Sequence, residues 1–167
     1  MAGNLTEIST LRTMVIYDSF FGNTKQVAKA IGEAFEPSEE VEVVKVSEVN
    51  PRELIGLKYL IVGSPTRAFR PTGAINDLIT KTPNLKGVKV TAFDTRIAKE
   101  DTNSRVLGFM VNIFGYAAKP ISNGLVKKGG ILVIPPEGFY VEDTEGPLKD
   151  GELERAAEWA RKIIAVN

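Results

Sequence analysis

A three-layer, doubly wound α/β domain built on a five-stranded parallel sheet is the fold this sequence predicts. Five short apolar segments alternate with helical patterns along the chain. The first, third and fifth are near-continuous apolar runs, as expected of strands buried on both faces. No repeat, low-complexity stretch or linker interrupts the 167 residues, a length that suits one domain with a sizeable core. Strictly alternating strands and helices specify a parallel sheet covered on both sides.

The first ten residues read as a loosely held tail, leaving residues 11–167 as the domain. The strand candidates are Thr13–Asp18, Val41–Val46, Lys58–Gly63, Val88–Asp94 and Gly130–Pro135. The first helical pattern, Thr24–Phe35, puts Val27, Ala30, Ile31, Ala34 and Phe35 on one face. A weaker helix spans Asn50–Ile55. The next, Pro71–Thr80, opens with Pro in its first turn and carries Ala74, Ile75, Leu78 and Ile79. A strongly apolar helix is predicted over Asn103–Ala118. The last, Glu152–Val166, carries Leu153, Ala156, Trp159, Ala160 and Ile163 inward. In such sheets ligands bind beyond the carboxyl ends of the strands. Function is therefore expected in the loops after Asp18, Gly63 and Phe93, with Pro136–Pro147 as a fourth candidate.

Composition narrows the chemistry. The 21 basic and 21 acidic residues balance, so there is no general pull toward nucleic acid or an anionic membrane. The balance is uneven, because residues 137–158 hold eight acidic and two basic residues. The chain has no Cys and no His. That removes disulfides, thiolate nucleophiles, Cys/His zinc sites, Ser-His-Asp triads and His-ligated haem. Redox chemistry would have to come from a bound cofactor. No ligand spacing argues for a carboxylate-bound metal. Met1–Arg12 lacks the apolar core of a signal peptide, and no apolar run reaches spanning length, so the expected location is the cytoplasm.

Three loops carry the candidate residues. After the first strand, Ser19, Phe20, Phe21, Gly22, Asn23 and Thr24 lead directly into a helix. Free backbone N–H groups, the helix dipole and two hydroxyls make such a loop a phosphate cradle of neutral donors. The same features also suit a plain strand–helix turn with Thr24 as N-cap. After the third strand, Ser64, Pro65, Thr66, Arg67, Ala68 and Phe69 form a Pro-stiffened loop whose Phe69 can offer a flat apolar face. The alternative is a Pro-capped connection with Phe69 packed inward. After the fourth strand, Asp94, Thr95 and Arg96 open a long polar loop that can meet a heteroaromatic edge. For Arg96 itself, a structural salt bridge to Asp94 is the stronger reading. The first loop has neither the G-x-G-x-x-G of dinucleotide sites nor the Lys of a Walker A loop. No Asp ends the third strand, as a phospho-acceptor receiver domain would require.

These loops resemble those of the flavodoxin family. Ser19-Phe20-Phe21-Gly22-Asn23-Thr24 is similar to the family's FMN-phosphate pattern, Ser/Thr-x-x-Gly-Asn-Thr. Gly63-Ser64-Pro65-Thr66 resembles its flavin-contacting segment. Glu145-Gly146-Pro147-Leu148 and Gly151–Ala156 resemble the tail of flavodoxin-like modules, including those of flavodiiron proteins. The resemblance implies strand order 2-1-3-4-5 and one noncovalent FMN. It implies that residues 19–24 hold the phosphate, that 64–69 lie along one side of the isoalloxazine, and that 94–96 face its pyrimidine edge. Two features depart from the family's pattern. Only Phe69 offers an aromatic in the ring loops, and the chain is neutral rather than acidic.

The expected function is electron transfer with redox partner proteins, in a monomer or weak dimer. One alternative is a small FMN-dependent NAD(P)H:quinone reductase. Another is a flavodoxin-fold interaction module without cofactor.

Overall fold

A computed structural model describes residues 12–35, 37, 39–101, 105–106, 109–110 and 115–166. The predicted tail and half of the helix predicted over Asn103–Ala118 lie outside these residues. The strands are β1 (Thr13–Tyr17), β2 (Val41–Lys45), β3 (Tyr59–Pro65), β4 (Lys89–Ile97), β5 (Ile131–Leu132) and β6 (Glu137–Val141). The sheet runs β2-β1-β3-β4-β5, with β6 also paired to β4, and every pairing is parallel. The helices are α1 (Asn23–Phe35), α2 (Gly73–Lys81), α3 (Ala118–Lys127) and α4 (Glu152–Ala165). The weak helix predicted near Asn50 is a 3₁₀ turn, Pro51–Leu54.

Strand alternation builds two cores. Met14, Ile16, Leu60, Val62, Val90 and Ala92 face α2 and α3, meeting Ile75, Leu78, Ile121 and Leu125. Val15, Tyr17, Tyr59, Ile61 and Phe93 face α1 and α4, meeting Val27, Ile31, Phe35, Trp159 and Ile163. On that second face Phe93, Phe139 and Trp159 form a mutual edge-to-face triad with centroids 6.0–6.3 Å apart. Phe93 lies beside Gly63 in the β3–β4 register. A Cβ built on Gly63 would come within 2.0 Å of the Phe93 ring, so the aromatic cluster needs a residue without a side chain there.

The fifth strand departs from expectation. The sequence predicts Gly130–Pro135 as one doubly buried strand. Instead β5 is two residues long, and Ile131 and Leu132 are exposed. The ladder then breaks at Pro135 and Pro136, which have no N–H to donate, and resumes on β4 as β6. Between Val90↔Leu132 and Phe93↔Glu137 the outer chain advances two residues more than β4. Thr91 spans the gap by donating its hydroxyl to the Ile134 carbonyl at 3.0 Å. Helix α3 is also unpredicted. Its Pro120, Ser122, Asn123 and Gly124 read as helix breakers. Pro120 sits in the first turn, where no intrahelical N–H is lost. Gly124 lets α3 approach Ile79 of α2. Gly115, predicted inside a helix, has φ +70° and lies before α3. Helix α2 begins two residues later than predicted, with Thr72 as its N-cap.

Strand β6 is tied to α4 by Glu152, whose carboxylate accepts from Tyr140 N at 2.7 Å and from Arg155 at 2.7 and 2.9 Å. Burial works against its charge, but these hydrogen bonds outweigh it and hold the carboxyl below its ordinary range.

The Phe93–Gly63 contact gives a direct test. Gly63→Ala should lower unfolding free energy by about 1–3 kcal/mol through overpacking. Urea titration should find the same substitution milder in a Phe93→Leu background. Equal cost in both backgrounds would mean that the ring is not what excludes a side chain.

Candidate cofactor-binding site

The loop after β1 is closed by its own polar groups. The Asp18 carboxylate accepts from Ser19 N at 2.9 Å, and the Ser19 hydroxyl accepts from Gly22 N at 3.0 Å. Gly22, with φ +92°, then starts α1 by accepting from Gln26 N at 3.1 Å. The first-turn N–H groups of Asn23, Thr24 and Lys25 therefore have no intrahelical acceptor, and they point out of the positive end of the helix. Thr24 is not the N-cap. Its buried hydroxyl shares a 2.8 Å hydrogen bond with Thr95 Oγ1 and ties this loop to the end of β4. The Asn23 amide donates to the Glu145 carbonyl at 3.0 Å, which brings the segment after β6 to the same place. Phe20 and Phe21 stay 58% and 47% exposed.

The loop after β3 is equally constrained. Buried Ser64 donates to the Pro65 carbonyl at 2.9 Å and accepts from Thr72 N at 3.0 Å. Thr66 donates its N–H to the Thr95 carbonyl and accepts from Ala117 N at 3.1 Å. Arg67 and Arg70 then exchange both backbone hydrogen bonds at 2.9 Å around a two-residue turn. Its central residues, Ala68 and Phe69, have φ +46° and +67°, the mirror-image hairpin form that favours Gly and Asn. Two non-glycine residues in this region cost free energy, and the turn borders the cavity described below. The Arg67 guanidinium lies 5.0 Å from the Phe20 ring centroid and 6.0 Å from that of Phe21.

At the end of β4, Arg96 grips Asp94 with two bonds of 2.6 and 2.7 Å. Asp94 is fully buried and also accepts from Ala118 N at 2.8 Å, at the start of α3. Burial pushes its carboxyl up, against the pull of Arg96 and the Ala118 N–H. The guanidinium is stacked 3.7 Å from the Tyr116 ring centroid. On Gly138, a Cβ would fall 2.1 Å from Arg96 Nε, so β6 can pass the arginine only with a glycine.

These segments enclose a cavity of about 240 Å³ at the carboxyl ends of β1, β3 and β4. Its walls include Ser19, Phe20, Phe21, Asn23 and Thr24 from the first loop, Pro65, Thr66, Arg67 and Ala68 from the second, and Thr95 and Arg96 from the third. Four predicted residues do not line it. Gly22 shapes the helix start, Ser64 pins its own loop, and Asp94 lies beneath Arg96. Phe69 sits in the turn outside the cavity walls, and the exposed aromatics at the cavity are instead Phe20 and Phe21. Three lining residues are not among the predicted site residues, although Val141 and Thr144 fall within the fourth candidate segment, Pro136–Pro147. Ile97 extends β4 beyond its predicted end. Val141 and Thr144 belong to the segment after the fifth strand, whose proximity depends on the Asn23–Glu145 contact. Among the described residues no cluster of His, Cys, Asp or Glu can hold a metal, and no helix is long and apolar enough to cross a membrane.

A parallel sheet of order 2-1-3-4-5, with helices on both faces and a cleft between its strand ends, defines a doubly wound α/β protein. The flavodoxin family model matches residues 15–159, and the chain belongs to the flavodoxin family. Solved structures with the same fold include a flavodoxin from the domain Archaea, at 21% identity and a TM-score of 0.68, covering 93% of this chain and 97% of that one. Oxidised flavodoxin 1 from Bacillus cereus aligns at 16% identity and a TM-score of 0.71, covering 92% and 97%. Rubredoxin oxygen:oxidoreductase from Desulfovibrio gigas aligns at 16% identity and a TM-score of 0.68, covering 92% of this chain but 35% of that one. Curated protein sequences gave no significant match.

Two expectations concern the walls themselves. Arg96→Met leaves Asp94 buried without its cation and should cost about 3–5 kcal/mol at neutral pH. Asp94 then holds its proton more tightly when folded than when unfolded. The variant's deficit should therefore be small below the ordinary carboxylate value of 3.8 and grow as pH rises through the elevated folded value. Urea midpoints measured across pH check the sign. In the hairpin, Ala68→Gly and Phe69→Gly should each stabilise the ligand-free protein by roughly 0.5–1 kcal/mol by relieving positive φ. Thermal unfolding reads this, and a loss of stability in both would show that the turn is not strained.

Proposed function

We propose that this chain binds one FMN noncovalently in the cavity and transfers electrons between redox partner proteins. The observation that carries the reading is the cradle, where the first turn of α1 leaves N–H groups without helical acceptors and its Asn23 and Thr24 line a cleft between strand ends. A phosphate fits that donor set, since backbone N–H groups at a helix N-terminus bind phosphate without a cation. The flat half-exposed Phe20 and Phe21 and the rigid Pro65–Ala68 wall suit a planar ring. Family membership supports the same cofactor.

When bound, FMN supplies the redox chemistry through its ring. The protein's work is binding and orientation. Asn23, Thr24 and Lys25 offer N–H groups to the phosphate, and the Ser19 hydroxyl lies beside them. Thr95, held by Thr24 and by the Thr66 N–H, fixes its part of the wall. Arg96 stays fixed by Asp94 and Tyr116. No titrating His or Cys is needed for electron transfer alone, and the chain has neither.

Titration of flavin-stripped protein with FMN and with riboflavin tests this. FMN should saturate at one equivalent with a flavin absorbance change. Riboflavin should bind at least about tenfold more weakly, since one charge-assisted hydrogen bond contributes 1.5–3 kcal/mol. Absence of FMN binding at high micromolar concentration would overturn the proposal. Equal affinity for the two flavins would remove the phosphate cradle from it.

A further inference from the structure

The two arginines that line the cavity are in opposite electrostatic situations. Of fourteen lining residues, Arg67 and Arg96 alone are charged, and no carboxylate is among them. The charge of Arg96 is cancelled at contact distance by the buried Asp94 carboxylate. Arg67 forms no ion pair among the described residues, and its guanidinium instead rests against the Phe20 and Phe21 rings. Among the described lining residues, one positive charge therefore has no ion-pair partner. A sphere of 240 Å³ is about 8 Å across, no wider than the Debye length at physiological salt, so any ligand in it feels that charge.

We propose that Arg67 biases this site toward the anionic, fully reduced form of the bound flavin. The inference rests on the FMN reading above and says which redox state the site prefers. In that reduction the ring takes up two electrons from a low-potential donor and one proton from solvent. An N–H bond forms at N5, no group leaves, and N1 stays unprotonated. The product carries one more negative charge than the oxidised ring. A fixed cation at the wall binds that product more tightly than the starting form and raises the midpoint potential. Arg96 cannot do the same, because Asp94 turns it into a local dipole. Arg70 is exposed like Arg67 and faces it across the same turn, but it lies outside the cavity walls, so position and not exposure sets the two apart.

The test compares dissociation constants for oxidised and dithionite-reduced FMN, obtained from anaerobic titration and from the midpoint potential of the complex. Arg67→Gln should weaken reduced FMN relative to oxidised FMN by about three- to tenfold. A tenfold change lowers a two-electron potential by 29.6 mV. Arg67→Lys should restore most of the difference, and Arg70→Gln should leave the ratio unchanged. An unchanged ratio in Arg67→Gln overturns the proposal, as does an equal shift in Arg70→Gln, which would make the effect one of general surface charge. These outcomes are separable from failure of the FMN reading, because wild-type protein that binds no FMN fails before any ratio exists.

Discussion

A carboxylate with no exposed surface sits on the interior strand β4, and the site is assembled around its need for neutralisation. Asp94 receives two hydrogen bonds from Arg96 and one from the Ala118 N–H. Breaking such a buried pair leaves an uncompensated charge, which is why its geometry is strongly enforced. Each partner fixes a different segment. Ala118 N sets where α3 begins. Arg96 places its guanidinium against Tyr116 and requires Gly138 in β6. One residue beyond Asp94, Thr95 joins the loops after β1 and β3 through Thr24 and Thr66. Two adjacent positions on one strand thus hold the loops after β1 and β3 and the start of α3, while the Asn23–Glu145 contact brings in the segment after β6.

Around that rigid centre the rim is built against local preference. Ala68 and Phe69 occupy left-handed conformations, Arg67 and Arg70 face each other as like charges, and two phenylalanines stand half in water. Cross-strand like charges and non-glycine residues with positive φ each destabilise a fold modestly. Such departures are tolerated where function holds them, and they coincide here with the wall that holds Arg67, the charged lining residue without an ion pair among the described residues.

Much of this was legible in the residues. The apolar runs of β1 and β3 and the stripes of α1 and α4 are strong periodic signals, and the loop from Ser19 to Thr24 marks the cradle. The Asp94–Arg96 pair was readable from spacing alone, since residues two apart on a strand share a face. What could not be read depends on long-range contact. Pro136–Pro147 was a candidate segment, but nothing near Asn23 announces that its amide will meet Glu145, so Val141 and Thr144 could not be singled out within it. Helix α3 was hidden because Pro120 and Gly124 break helices in general, and only its first-turn position and the nearness of Ile79 make them acceptable. Phe69 appeared to be the ring-facing aromatic because sequence gives no sign that Ala68 and Phe69 turn back. The apolar run ending at Pro135 looked like one strand because hydropathy does not record missing donors.

That interrupted strand has a consequence for how copies of the chain meet one another. A long flat edge would offer a row of unpaired amides to any neighbour. Here β5 is two residues long, the prolines remove donors beyond it, and Leu148 folds back to pair with Val141 at the end of β6. The opposite border of the sheet is β2, where Glu42 and Lys45 stand exposed. Neither border is a template for sheet extension. A molecule whose surface charge sums to zero lacks mutual repulsion as a safeguard against aggregation, and in this fold the blunted edges supply that protection instead.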